Sequence, residues 1–188
     1  QGTKLLNGNY DYKASSVASG IADYKINGAK FTGSSQAVNV LVTQSAQQAG
    51  MYMSMGGTGL DLGGANSAFT IEIAGSLGSR ELTFTSGTTM TSIAAAINTF
   101  TDITGVQASV IASGTSNGIK LNAKEFGSAD FVSVKVVNDG GLSTTNLGLY
   151  NWASQNFSAL NTTAITDYST TTASNGVRDS GQDIGATI

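Results

Sequence analysis

FTIEIAGSLGSRELTFTSGTTMTSIAAAIN, Phe69 to Asn98, is the stretch on which the fold turns. Phe69, Ile71 and Ile73 alternate with Thr70 and Glu72, so a strand here sends its apolar set to one face and Glu72 to water. Gly75-Ser76-Leu77-Gly78-Ser79 reads as a hairpin loop, and Leu82 and Phe84 then alternate with Glu81, Thr83 and Thr85 in a second strand. From Thr88 the period changes. Thr88 and Thr89 offer an N-cap, and Met90, Ile93, Ala94 and Ile97 share one face of a helix over 88–98. A helix this short does not persist alone, so its apolar stripe must pack on the sheet.

Working outward, Gly105 ends the connection and three alternating runs follow: Val106, Ala108 and Val110; Ile119, Leu121 and Ala123; Val132, Val134 and Val136. Each run points its apolar set to one side. The outward set places Lys120, Lys124 and Lys135 beside Glu72 and Glu81, an arrangement suited to cross-strand ion pairs of roughly 0.2–1 kcal/mol each. Upstream, residues 37–44 read as a strand with Val38, Val40 and Val42 on one face, and Met51, Met53 and Met55 alternate again. Downstream, Asn138-Asp139-Gly140-Gly141 signals a turn, while residues 154–175 are rich in Ser, Thr and Asn. Their weak periodicity predicts loops, an irregular edge strand or a mobile surface segment. The fold class expected is α+β, mainly antiparallel β-sheet with one short helix packed on it.

Composition narrows the function. A chain of 188 residues suits one domain or two small ones, with a sizeable core. It has neither cysteine nor histidine, which removes disulfides, thiolate metal sites and the usual neutral-pH base. Charged residues are 11% of the chain and the net charge is −3, so no basic patch is expected for nucleic acid or anionic lipid. No apolar run is long enough to span a membrane. Gln1-Gly2-Thr3-Lys4 resembles neither a signal peptide nor an initiator end, and an excised fragment is expected.

The chemical motifs are few. Gly56-Gly57-Thr58-Gly59-Leu60-Asp61-Leu62 fits the start of the calcium-binding nonapeptide, but a single copy lacks the neighbouring turn that completes the ion's ligands. A plain glycine-rich loop is the better reading. Glu72 with Glu81, and Asp179 with Asp183, are the carboxylate pairs that glycoside hydrolysis would require, yet all four fall at positions that read as exposed. The abundant Ser and Thr have no His or Ser-x-x-Lys motif to activate them. No catalytic, cofactor or metal residue is therefore assigned. Trp152 near Tyr150 and Phe157 suits either a sugar-stacking platform or a satellite hydrophobic cluster. Asn156-Phe157-Ser158 and Asn161-Thr162-Thr163 match an N-glycosylation pattern that carries meaning only in a secretory context.

The order strand, strand, short helix with Ile97-Asn98, then strands, over residues 67–137, resembles the flagellin hook IN motif of bacterial flagellins and hook-associated proteins. Gly2-Thr3-Lys4-Leu5-Leu6-Asn7-Gly8 looks like the flagellin segment after the N-terminal helices. Gly181–Ile188 looks like the segment following an outer insert, and Asn146-Leu147-Gly148-Leu149 fits flagellin usage. The resemblance implies a central, outer, hypervariable flagellin region: segments 1–20 and 176–188 leading to a helical shaft absent from this chain, and an outer domain over 21–175. It implies a secreted, self-assembling structural subunit of the extracellular filament, serving motility, with neighbouring flagellin subunits as partners and host or phage receptors at its surface. In flagellins glycans attach more often to Ser or Thr hydroxyls, which points to 158–174. A chain free of disulfides and X-Pro isomers also suits unfolded export and prompt refolding. Val38–Gln47 resembles a segment of the filament cap protein, so the cap is the alternative, and a carbohydrate-binding or adhesive module is the second alternative.

Overall fold

A computed structural model describes residues 14–19, 26, 33–55, 57–62, 64, 67–113, 116–142, 148–152 and 160–187. The segment Gly2–Gly8, Gly56, Asn146, Leu147, Asn156, Phe157 and Ser158, and the side chains of Trp152 and Asn161–Thr163, lie outside the described residues. The chain falls into two compact units, Gln1–Asn39 and Val40–Ile188. The described residues of the first carry no helix or strand.

The second unit runs β1 (Leu41–Gln44), β2 (Gly50–Ser54), β3 (Ala68–Gly75), β4 (Gly78–Thr85), α1 (Met90–Asn98), α2 (Thr101–Thr104), β5 (Val106–Ser113), β6 (Ser116–Ala123), β7 (Phe131–Asn138), β8 (Gly148–Trp152), β9 (Leu160–Asp167), α3 (Thr171–Asn175), β10 (Val177–Ser180) and β11 (Gly185–Thr187). They form a four-stranded sheet ordered β10-β7-β3-β4, a five-stranded sheet ordered β5-β6-β2-β8-β9, and a two-stranded ribbon of β1 and β11. Every ladder is antiparallel. The mainly antiparallel α+β class read from the sequence is the one observed.

The stretch 67–137 is thus split between two sheets. Its strands β3, β4 and β7 build one, β5 and β6 the other, and each sheet takes further strands from outside: β10 in the first, β2, β8 and β9 in the second. The inward residues make one continuous apolar cluster. Phe69, Ile71 and Ile73 of β3 meet Met51 and Met53 of β2, Ile119 and Leu121 of β6, and Val132 and Val134 of β7, all fully buried. Met90, Ile93, Ala94 and Ile97 form the buried face of α1 as the 3.6-residue spacing requires, and Thr89 is its N-cap, accepting from Ser92 N at 3.2 Å. Gly105, at φ 77°, ends α2 in the left-handed conformation that glycine adopts without strain.

Four expectations need correction. The strand expected over 37–44 is only β1, and Val38, Val40 and Val42 are 61%, 42% and 51% exposed. A two-stranded ribbon has no second layer to cover a face, so alternation there carries no burial. Val110, expected inward, is 39% exposed, because β5 is an edge strand and only its first half lies under α1. Glu72, expected in water, is half-buried on β3, a central strand, opposite Glu81 on one side and Lys135 on the other. Lys120 belongs to the other sheet, opposite Tyr52 and Ser109, while Lys124 pairs with Asp102 of α2 at 3.8 Å across an exposed surface. A surface pair of that kind contributes at most about 1 kcal/mol.

Candidate functional site

The Ile97-Asn98 dipeptide divides into two jobs. Ile97 is 1% exposed in the core, whereas Asn98 turns back along the first half of β5. Asn98 Nδ2 donates to Ala108 O at 2.9 Å, and Ala108 N donates to Asn98 Oδ1 at 2.8 Å. One residue pair earlier, Thr101 Oγ1 donates to Val106 O at 2.9 Å and Val106 N donates to Thr104 Oγ1 at 3.2 Å. Both outward groups of Val106 and both of Ala108 are therefore satisfied by side chains of α1 and α2. A carboxamide carries the donor and acceptor geometry of a peptide group, so Asn98 acts as one residue of a missing neighbouring strand. Sequence reading identified Asn98 as a family tag and missed this role, since nothing in the spacing from 98 to 108 reveals that β5 is an edge.

The loop at 57–62 is a strap over the start of α1. Leu60 N donates to Thr88 O at 2.9 Å, Gly87 N to Leu60 O at 2.7 Å and Met90 N to Thr58 O at 3.2 Å. Leu60 and Leu62 are each 3% exposed and sit in the core. The Leu60-Asp61-Leu62 run of this glycine-rich loop alternates because Leu60 and Leu62 point inward. Among the described residues no group of three or more acidic side chains is gathered to hold a metal ion.

The acidic pairs separate into different environments. Glu72 and Glu81 are directly opposite one another on β3 and β4, and Glu81 is exposed. Asp179, expected exposed, is half-buried on β10, where it accepts from Gly50 N at 2.8 Å and ties β10 to β2. Burial pushes its carboxyl above the usual range, against the opposing pull of the Gly50 and Ser180 N–H groups. Asp183 is exposed and accepts from Ser128 Oγ at 2.6 Å and Ser128 N at 2.7 Å, bonds that hold it below the usual range. Around it, Gln182 N donates to Gln47 O at 2.9 Å, Gln47 N to Gln182 O at 2.8 Å and Gly181 N to Asp130 O at 2.9 Å. The segment after β10 is in this way fastened to the 127–130 loop.

These two carboxyls work in opposite directions on stability. A lowered folded pKa stabilises above the unfolded carboxylate value and is lost as pH falls through the folded one; a raised pKa does the reverse. Asp183→Asn is therefore expected to lose stability at pH about 7 and to show a shallower acid-side decline below about pH 4. Asp179→Asn is expected to remove the stability that protonation of this carboxyl adds as pH falls towards about 4, so that the acid loss sets in at higher pH. Urea unfolding midpoints read across the acid range check both signs.

On the face of the five-stranded sheet away from the core, Lys120, Tyr52 and Tyr150 stand in one row across β6, β2 and β8. The two tyrosine rings meet edge-on at 6.1 Å, and Tyr52 is 1% exposed. The neighbours expected for Tyr150, the Trp152 side chain and Phe157, lie outside the described residues. Burial lowers the Lys120 ammonium pKa and raises the Tyr52 phenol pKa, the latter helped by the charge of Tyr150.

Residues 68–125, from β3 into the loop after β6, match the model of the flagellin hook IN motif. A comparison with curated proteins by sequence finds no match. Among solved structures the chain is similar to the D2-D3 domains of the flagellar cap protein of Serratia marcescens, at 19% identity over 79% of this chain and 71% of that one, with a TM-score of 0.48. It is similar also to the D2-D3 domains of the Escherichia coli flagellar cap protein, at 15% identity over 84% and 93%, with a TM-score of 0.46. A third likeness is to the cap protein of Pseudomonas aeruginosa PAO1, at 21% identity over 60% of this chain and 51% of that one, with a TM-score of 0.43.

Proposed function

We propose that this chain, whose residues 68–125 are a flagellin hook IN motif, is the outer, solvent-facing domain of a flagellar structural protein. The observation that carries the reading beyond the motif is the β1–β11 ribbon. Leu41 is in register with Thr187 and Val42 with Ala186, so the second unit is entered and left side by side, as a domain inserted into a longer polypeptide must be. In this reading residues 1–20 and 176–188 lead towards a helical shaft and 21–175 carry the outer domain, with β10 also closing a sheet. The domain covers the flagellar surface, contacts neighbouring subunits and presents the face that host or phage receptors meet. Its roles are packing and presentation, and no residue is assigned a reaction.

Two positions along the flagellum suit such a domain. The filament shaft is the first reading. The cap at the tip is the second, favoured by Val38–Gln47, which resembles the cap protein and here supplies β1 and the Gln47–Gln182 bridge. The test is to shear flagella from cells bearing the parent gene and search the purified fraction for peptides of residues 40–188. Their recovery in that fraction is expected, in quantity for a filament subunit and in trace for a cap; confinement to the cell envelope or cytoplasm would sink the proposal.

A further inference from the structure

We infer that the cleft between the end of β7 and α3 binds one ring of a neutral sugar. β7 runs from Phe131 to Asn138, but β10 pairs with it only from Phe131 to Val134. Past Val134, among the described residues, no strand pairs with that flank of β7, and residues 168–175, which lead into and form α3, stand beside it instead. A cleft of about 280 Å³ is left between them. That volume is close to the lower end for ligand sites, about 300 Å³, and suits a single ring. Val136 and Tyr168, both buried, form its floor. Asn138 and Asp139 make one wall, and Ser169, Thr171 and Ser174 the other.

The polar groups of the walls are held in place. Asn138 Oδ1 accepts from Gly140 N at 2.9 Å and Asp139 Oδ1 from Gly141 N at 3.0 Å, bonds that fix both side chains. They leave the Asn138 amide N–H groups and the second Asp139 oxygen for a ligand. A charged acceptor beside a carboxamide donor matches two neighbouring hydroxyls of a sugar ring, one donating and the other accepting. Thr170 Oγ1 accepts from Ala173 N at 3.3 Å as the N-cap of α3, so the opposite wall offers the hydroxyls of Ser169 and Thr171, both exposed. Ser174 Oγ donates to Thr171 O at 3.0 Å and keeps its capacity to accept. Val137, 49% exposed at the rim, offers an apolar contact to the C–H face of the ring. Charge excludes the other small ligands. Among the described residues lining the cleft Asp139 is the one carboxylate and none is Lys or Arg, so a phosphate, sulfate or carboxylate would meet repulsion without a counter-charge. A calcium ion, which takes about six to eight oxygens with several carboxylates among them, would find one.

Titration of the isotope-labelled full chain with the methyl glycosides of glucose, mannose and galactose, followed through amide chemical shifts, tests this. At least one glycoside is expected to shift the amides of residues 136–139 and 168–174 and to saturate with a dissociation constant of about 1 mM, the strength that a one-ring ligand in a shallow polar cleft reaches. Asp139→Asn keeps an acceptor for Gly141 N and loses the charge, and is expected to weaken binding about tenfold. Thr171→Val, at an exposed position and with little change of shape, is expected to weaken it severalfold. No saturable shift with any of the three glycosides, shifts centred outside the cleft, or a folded Asp139→Asn chain that binds as tightly as the unaltered one overturns the inference. The cleft belongs to the domain whichever position along the flagellum it occupies, so the titration is decided independently of the sheared-flagella test.

Discussion

Tyr168→Ala is expected to lower the unfolding free energy by about 3–5 kcal/mol, the range for truncating a large buried aromatic side chain. Tyr168 is 1% exposed, its ring meets Phe69 edge-on at 5.2 Å, and its hydroxyl donates to Ser54 O at 2.6 Å. Those contacts join the segment between β9 and α3 to β3 of one sheet and β2 of the other. Truncation removes the ring from the core, opens a cavity and leaves the Ser54 carbonyl without its donor. Tyr168→Phe separates the terms, keeping the ring and losing the bond, and is expected to cost about 1–2 kcal/mol. Urea unfolding followed by circular dichroism reads both. Equal losses for the two variants would show that the hydroxyl, rather than the ring, holds this segment.

Gly118→Ala is expected to cost about 3 kcal/mol, at the upper end of what overpacking produces. Gly118 of β6 is opposite Ser54 of β2, and a Cβ there would stand 2.6 Å from the Tyr52 ring and closer still to the carbonyl oxygen of Met53. A side chain tip moves aside at small cost; the backbone of a central strand does not. Tyr52→Ala is accordingly expected to leave the penalty of Gly118→Ala largely in place, and a double-mutant cycle that removes the whole penalty would locate the clash on the ring instead.

The legible parts of this fold were those set by neighbours in sequence. The alternation of Phe69, Ile71 and Ile73, the Gly75–Gly78 reversal and the Met90, Ile93, Ala94 and Ile97 stripe each record a local period, and each appears as read. Long-range pairing leaves no such record. Val110 and Val106 share one alternation, yet they differ in burial because α1 covers only the first half of an edge strand. Tyr168 sits in a stretch of Ser, Thr and Asn whose periodicity is weak, and its one local signal is being the large aromatic among short polar residues. The Val38, Val40 and Val42 alternation misled the other way: it implies a covered face, yet only Val42 lies in a strand, and the two-stranded ribbon of β1 and β11 supplies no cover. At the candidate site, the identity of Asn98 was visible and its partner was not, since Ala108 becomes its neighbour only through the turn at Gly105.

The central claim is that this domain stands on the outside of a flagellum. Leu77→Cys, at a hairpin tip where Leu77 is 64% exposed, gives this cysteine-free stretch a thiol for a membrane-impermeant maleimide dye on living cells that carry the variant in the parent gene, with cells carrying the unaltered gene as the blank. The account expects dye on the flagella of intact cells, along their length for a filament subunit or at their tips for a cap. Dye confined to the cell body, or a thiol that reacts only after the cells are broken, would contradict it.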